Sequence, residues 1–156
     1  MTIVGIDPST KKIAFAGSEV DGSNPWVWVA PLLGKSDPYS PLKANLAFGA
    51  TEKVLRNHKV KHVFVESPLL GVGGVKTALL LGYIGGAIHA GAVRAGAEVH
   101  IVNVQSWKKT LGKGSFSKAE VGEAVLKTLP EMHSMAAGDQ DLLDAIGILY
   151  HARLNV

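Results

Sequence analysis

Cysteine is missing from all 156 residues. That excludes disulfides and thiolate metal sites, and it fits a reducing compartment. A basic leader is also missing. The chain opens directly on an apolar stretch, so no secretory signal is expected, and the cytoplasm is the expected location. The longest uncharged run lies between Lys76 and Arg94 and has 17 residues, whereas a membrane span needs roughly 20. It holds four glycines and His89. A buried helix is expected there, with no membrane association. Acidic residues are absent between Asn103 and Ala119, where Lys108, Lys109, Lys113 and Lys118 fall. With a formal net charge of +3, that local excess points to a polyanionic partner. The simpler alternative is a solvated basic loop.

What is present suits a single globular domain over residues 1–156, because 47% of the chain is apolar and 19% charged. Residues 2–7 read as a first strand that ends on Asp7 and is broken by Pro8. Residues 11–18 and 26–29 give two more strands. The Asp21-Gly22 turn and the short connections predict an antiparallel meander. Ser40 and Pro41 open a helix as N-cap and first residue, with Leu42, Leu46, Ala50 and Val54 as its apolar stripe. Residues 62–66 form a fourth strand, again closing on a carboxylate (Glu66) and a Ser-Pro break. A long helix over residues 75–95 carries Ala78, Gly82, Gly86 and Ala90 four apart. Such a stripe lets another backbone approach closely, either the sheet or a second copy of this helix. A fifth strand over 98–103 and a short helical turn over 106–111 follow. Ser117 and Glu120 fit a capping box for a helix that Pro130 ends. Residues 131–138 read as a loop before a last helix over 139–154. The order predicts an α/β fold with a five-stranded mixed sheet flanked by helices.

Asp141 and Asp144 are three apart on the last helix and share a face. Side by side near a core they repel each other. The helix dipole offsets that by only about 0.3–1 kcal/mol each. Ordinary first-turn acids at a solvent edge are the alternative to a metal site. If the Asp7 and Glu66 strands are neighbours and the last helix packs across them, four oxygen ligands converge. Oxygen-only sites suit Mg²⁺ or Mn²⁺. Two such ions roughly 3.5–4 Å apart can activate water and stabilise the leaving oxygen of a phosphodiester. The basic stretch would hold phosphates beside them.

Five stretches, IVGIDPSTKKIAFA, VFVESP, the small-residue helix, VQSWKKTLGKGSFSKAEV and DQDLLDAIGILYHA, together resemble the RuvC Holliday junction resolvases. The resemblance runs in order over essentially the whole chain. It implies an RNase H-like fold and a homodimer joined through the long helix. It implies Mg²⁺-dependent, symmetric paired nicking of four-way DNA junctions. It places Asp7, Glu66, Asp141 and Asp144 as metal ligands and catalytic acids, with Lys108 and Lys118 beside the scissile phosphate. Lys109 and Lys113 are further DNA-contact candidates. One departure is visible. Where the family often carries an aromatic wedge after the glutamate, this chain has Ser67-Pro68-Leu69-Leu70. Leu69 or Leu70 would then be an apolar wedge without stacking. Junction specificity would be relaxed, as would suit a phage-encoded enzyme working in its host's cytoplasm on other branched DNA.

Other signals are weaker. The glycines near Lys76 and Lys113 lack a contiguous Gly-Lys-Ser/Thr phosphate loop. His58 and His62 are four apart but bridge a helix end and a strand, so they do not read as a ligand pair. His151 reads as a satisfied, partly buried histidine, Trp26 and Trp28 as core or sheet cover, and Trp107 as an anchor for its turn. The competing functions are an RNase H-like nuclease acting on RNA or other branched DNA, a non-catalytic junction-binding protein, and an actin-like ATPase. The ATPase needs two such domains and the chain is too short for it.

Overall fold

The Asp7 strand is the middle of the sheet. In the computed structural model, which describes residues 1–68 and 73–156, β1 (Thr2–Pro8) lies between β2 (Lys12–Glu19) and β4 (His62–Glu66). β3 (Trp26–Pro31) and β5 (Glu98–Val102) form the edges, in the order β3-β2-β1-β4-β5. The first three strands pair antiparallel, while β4 and β5 run parallel to β1. The meander and the mixed sheet expected from the sequence are therefore present. The wedge expected at Leu69 or Leu70 lies outside the described residues.

Alternation along β1 sorts its side chains between two layers. Val4 and Ile6 face α1 (Leu42–Asn57) and α2 (Gly74–Arg94), in a cluster with Phe15, Val63, Leu55, Ile84 and Ile88. Ile3 faces the other layer, with Phe64, Val102, Trp107, Ile146 and Leu149. That layer is built from α3 (Val104–Leu111), α4 (Lys118–Thr128), α5 (Pro130–Ala136) and α6 (Gln140–Arg153). Gly5 shares the face of Ile3 and Asp7. A Cβ there would fall 2.4 Å from the Leu149 nitrogen and 2.5 Å from the Ala145 oxygen. The α6 backbone thus rests directly on β1. Gly5→Ala is expected to push the two apart, costing about 1–3 kcal/mol. Urea denaturation measures that loss; an unchanged midpoint and slope would contradict the contact.

Several expectations are corrected. The buried face of α1 is Lys43, Ala47, Thr51, Val54 and Leu55, while Leu42 and Leu46 are exposed. The cause is the close crossing of α2. A Cβ on Gly91 would come 2.8 Å from the Phe48 oxygen and 3.1 Å from the Thr51 Cβ. Small side chains turn inward at that crossing and the leucines turn out. The buried Lys43 ammonium donates to the Thr10 carbonyl and, at 3.3 Å, to Ser36 Oγ. The start of α1 is as expected: Pro41 already has the helical backbone conformation, and Ser40 Oγ accepts from the Leu42 N–H at 3.3 Å. Residues 130–136 form α5 instead of a loop, because Pro130 suits the first helical position as well as it ends α4. Trp26 covers Gly17 and stacks on His58 at 3.8 Å, but Trp28 is 57% exposed and is not core.

The small-residue stripe of α2 does not meet the sheet. Leu80, Ile84, Ile88 and Ala92 do that. Gly82, Gly86 and Ala90 are exposed, and a Cβ on either glycine would meet nothing within 4 Å among the described residues.

Candidate active site

Asp7 and Glu66 arrive at the same end of the sheet for one reason. β1 and β4 are parallel neighbours, and each acid follows the paired residues Ile6 and Val65. Period-two alternation points both carboxylates to the face that α6 covers. The capped start of α6 supplies the others. Asp139 Oδ1 accepts the backbone N–H groups of Asp141 at 2.9 Å and Leu142 at 3.2 Å. Asp141 and Asp144 then sit in the first turns. Lys12, at the start of β2, donates to Asp139 at 2.6 Å and lies 3.5 Å from Asp141. This clamp ties the α6 N-terminus to the hairpin that carries Asp7.

The acids interact. Asp7 is 8% exposed. Burial first, and then repulsion from Glu66, Asp144 and Asp141, holds its pKa well above the ordinary carboxylate value, with Lys118 opposing. No side-chain hydrogen bond reaches the Asp7 carboxylate among the described residues. Burial also raises Glu66, against the Trp107 hydrogen bond, and Asp144 adds to the rise while Lys108 opposes it. Asp144 is raised by burial as well, offset by a 3.0 Å hydrogen bond from Gln140 and by Lys108, with Asp141 raising it and Lys118 opposing. One buried and two half-buried carboxylates sharing one field, the buried one without a side-chain donor among the described residues, form an unfavourable arrangement on their own. The donors are all oxygen. Such a set fits a hard divalent cation, which would relieve the repulsion.

All four sequence-selected acids are therefore brought together. Lys108 and Lys118 face them, and Lys108 is further held by donation to the Phe116 carbonyl at 3.0 Å. Lys109 and Lys113 are exposed. Lys113 bears on Glu120, whose capping box with Ser117 forms as expected.

A model of the crossover junction endodeoxyribonuclease RuvC family matches residues 3–150. The chain belongs to the RuvC family. Solved structures agree in fold. Thermus thermophilus RuvC in complex with Holliday junction substrate is 20% identical with a TM-score of 0.75, covering 99% of this chain and 94% of that one. Thermus thermophilus RuvC in a second structure is 21% identical with a TM-score of 0.72, covering 99% and 97%. The yeast mitochondrial Holliday junction resolvase Ydc2 is 13% identical with a TM-score of 0.62, covering 98% and 80%. A search of curated protein sequences finds no match. The fold is thus the RNase H-like fold of RuvC, and the family is one of endodeoxyribonucleases.

Sequence reasoning missed three contributors. Lys12 gave no signal of its own, although its place five residues past Asp7, across a tight hairpin, would bring it back to the same sheet end. Asp139 read only as a helix start. Trp107 read as an anchor, and it is fully buried, but its indole N–H also donates to Glu66 Oε2 at 2.6 Å. Gly147 makes room for that ring, since a Cβ there would fall 2.7 Å from it. His151 is satisfied, with Nδ1 at 2.7 Å from Thr110 Oγ1. Among the described residues no helix is long and apolar enough to cross a membrane.

Proposed function

We propose that this RuvC chain is a single-domain nuclease that resolves four-way DNA junctions and other branched DNA by metal-assisted phosphodiester hydrolysis. The carrying observation is the convergence of Asp7, Glu66, Asp141 and Asp144 from two strands and one helix, with Asp7 buried and undonated. These four side chains would hold Mg²⁺ or Mn²⁺. Bound there as a pair, the ions supply an activated water and a counter-charge for the leaving oxygen. The protein's part is placement. β1 fixes Asp7, Trp107 orients Glu66, and the Lys12–Asp139 clamp sets the helix carrying Asp141 and Asp144. Lys108 and Lys118 offset the negative charge of acids and phosphate together, and Lys109 and Lys113 extend the basic surface for flanking DNA.

A labelled four-way junction incubated with the protein and Mg²⁺ is expected to give paired nicks placed symmetrically about the crossover. Binding without cleavage would reduce the protein to a junction-binding module. A parallel panel of Y-forks, bulges and RNA hybrids reads out substrate breadth; preferential cutting of the hybrids would replace the junction assignment.

Symmetric nicking of strands of like polarity needs two sites, and we infer a homodimer through α2. Exposed Leu79, Tyr83 and Val93 share the open face of Gly82, Gly86 and Ala90. Gly82→Arg with Gly86→Arg is expected to give a monomer by sedimentation with a folding stability within about 0.5 kcal/mol per site of the original. A Cβ on either glycine would meet nothing within 4 Å among the described residues, so loss of assembly is separable from loss of folding. A dimer that survives both changes would move the interface elsewhere.

A further inference from the structure

We infer that His62, Glu98 and His100 form a second metal site, built for a borderline transition-metal dication such as Zn²⁺ and separate from the carboxylate centre. The three residues sit where the parallel strands β4 and β5 begin. His62 is paired directly with Glu98, and His100 with Phe64. Their ligand atoms lie together. His62 Nδ1 is 3.2 Å from His100 Nε2 and 3.7 Å from Glu98 Oε2, and His100 Nε2 is 3.6 Å from Glu98 Oε1. Ligands at about 2.0–2.1 Å from a tetrahedral Zn²⁺ are separated by roughly 3.3 Å from one another. The observed spacings need only small side-chain adjustments to reach that.

The scaffold is rigid as well as close. The His100 ring stacks on Phe64 at 4.5 Å and 20°, and His62 stacks on His100 at 5.5 Å and 28°. Adjacent strands of one sheet fix the three backbones, so binding orders little that is not already ordered. Glu98 is 66% exposed, which leaves the third ligand, and the fourth position for water, open to solvent.

The donor chemistry separates this site from the acids. Two imidazoles and one carboxylate suit Zn²⁺, Cu²⁺ or Ni²⁺, whereas Mg²⁺ prefers oxygen alone. Distance separates them too. His62 and Glu66 are four residues apart at opposite ends of β4, roughly 13 Å at strand rise. The ion's role is structural. β5 is an edge strand, and it leads straight into the Asn103 cap and α3, which carries Trp107 and Lys108. A clip between β4 and β5 stiffens the strand that delivers those two residues.

The test uses the full chain, stripped of metal and titrated with Zn²⁺ or Co²⁺ in excess Mg²⁺. The expected result is one Zn²⁺ per chain that Mg²⁺ does not displace, a tetrahedral Co²⁺ visible spectrum, and a higher melting temperature. His62→Asn and His100→Asn should each weaken Zn²⁺ binding about 100-fold or more, and Glu98→Gln roughly tenfold, since even indirect partners of a ligand are worth about 10–100-fold. Junction cutting in Mg²⁺ alone, with no Zn²⁺ bound to any of the proteins, should be the same in all three as in the wild type. Asp7→Asn should still retain the Zn²⁺. Glu98 is exposed, so its variant folds even if a histidine variant does not. Complete displacement by Mg²⁺, or equal Zn²⁺ affinity in the wild type, His100→Asn and Glu98→Gln, would overturn the site and leave a hydrogen-bonded imidazole pair.

Discussion

Asp7→Asn is expected to abolish junction cleavage and, at the same time, to make the metal-free protein harder to melt. The two effects share a cause. Asp7 is buried among three other carboxylates with no side-chain donor, so its charge is a cost to the fold until a cation offsets it. The expected loss of rate is roughly 10³-fold or more, the equivalent of several kcal/mol of transition-state stabilisation. Junction binding by the basic surface should persist. The gain in melting temperature should be about 2–4 °C for each kcal/mol of repulsion removed. Saturating Mg²⁺, at about 100 times its dissociation constant, should add about 2.7 kcal/mol to the wild type and little to the variant.

The same acids set a pH dependence. Asp7, Glu66 and Asp144 hold their protons more tightly in the folded chain than in the unfolded one. Between the unfolded and folded pKa values the folded state therefore binds more protons. Stability of the metal-free protein should fall as pH rises through that interval, from the ordinary carboxylate range upward, and then level off. Asp7→Asn should flatten the slope. A variant that still cuts, or that melts lower without metal and shows the same pH slope, would remove Asp7 from the centre of the site.

Trp107 carries the second large effect. Its ring is fully buried between α3 and α6, so Trp107→Ala is expected to cost about 3–5 kcal/mol in stability. Trp107→Phe separates packing from positioning, because it keeps most of the ring and removes the N–H that holds Glu66 Oε2. The half-saturating Mg²⁺ concentration should rise about 10–100-fold, with the maximal rate at saturating Mg²⁺ largely recovered. The indole N–H favours the Glu66 carboxylate, alongside Lys108 and against Asp144. Without it Glu66 ionises at higher pH, so the acid limb of the cleavage profile should move upward. A Phe variant with lower stability but an unchanged Mg²⁺ requirement and pH profile would leave Trp107 a packing residue alone.

Much of the site was legible because strand-end acids leave a local trace. Asp7 and Glu66 each close an apolar run at a proline-marked break, and Asp141 and Asp144 share a helix face at fixed spacing. Those traces come from periods of two and 3.6, which the chain carries in its own order. The α1 face was misread for the opposite reason. Leu42, Leu46, Ala50 and Val54 make a plausible stripe, but which face is buried depends on Gly91 of a different helix. Pro130 was equally ambiguous, since the ring that ends one helix is well suited to begin the next.

By itself, then, the sequence determined the order of the strands and of every helix but α5, the four candidate acids, the lysine-rich stretch without acids, and the exclusion of thiolate chemistry. These follow from residue types and local spacing. Only the tertiary structure decided that Trp107 holds Glu66, that Lys12 and Asp139 clamp α6, that the α2 stripe is left exposed, and that His62, Glu98 and His100 meet. Each of these joins residues separated in the chain by other elements or fixed by strand register. Their proximity depends on pairing and on backbone approach at Gly5, Gly91 and Gly147, and no local pattern encodes it.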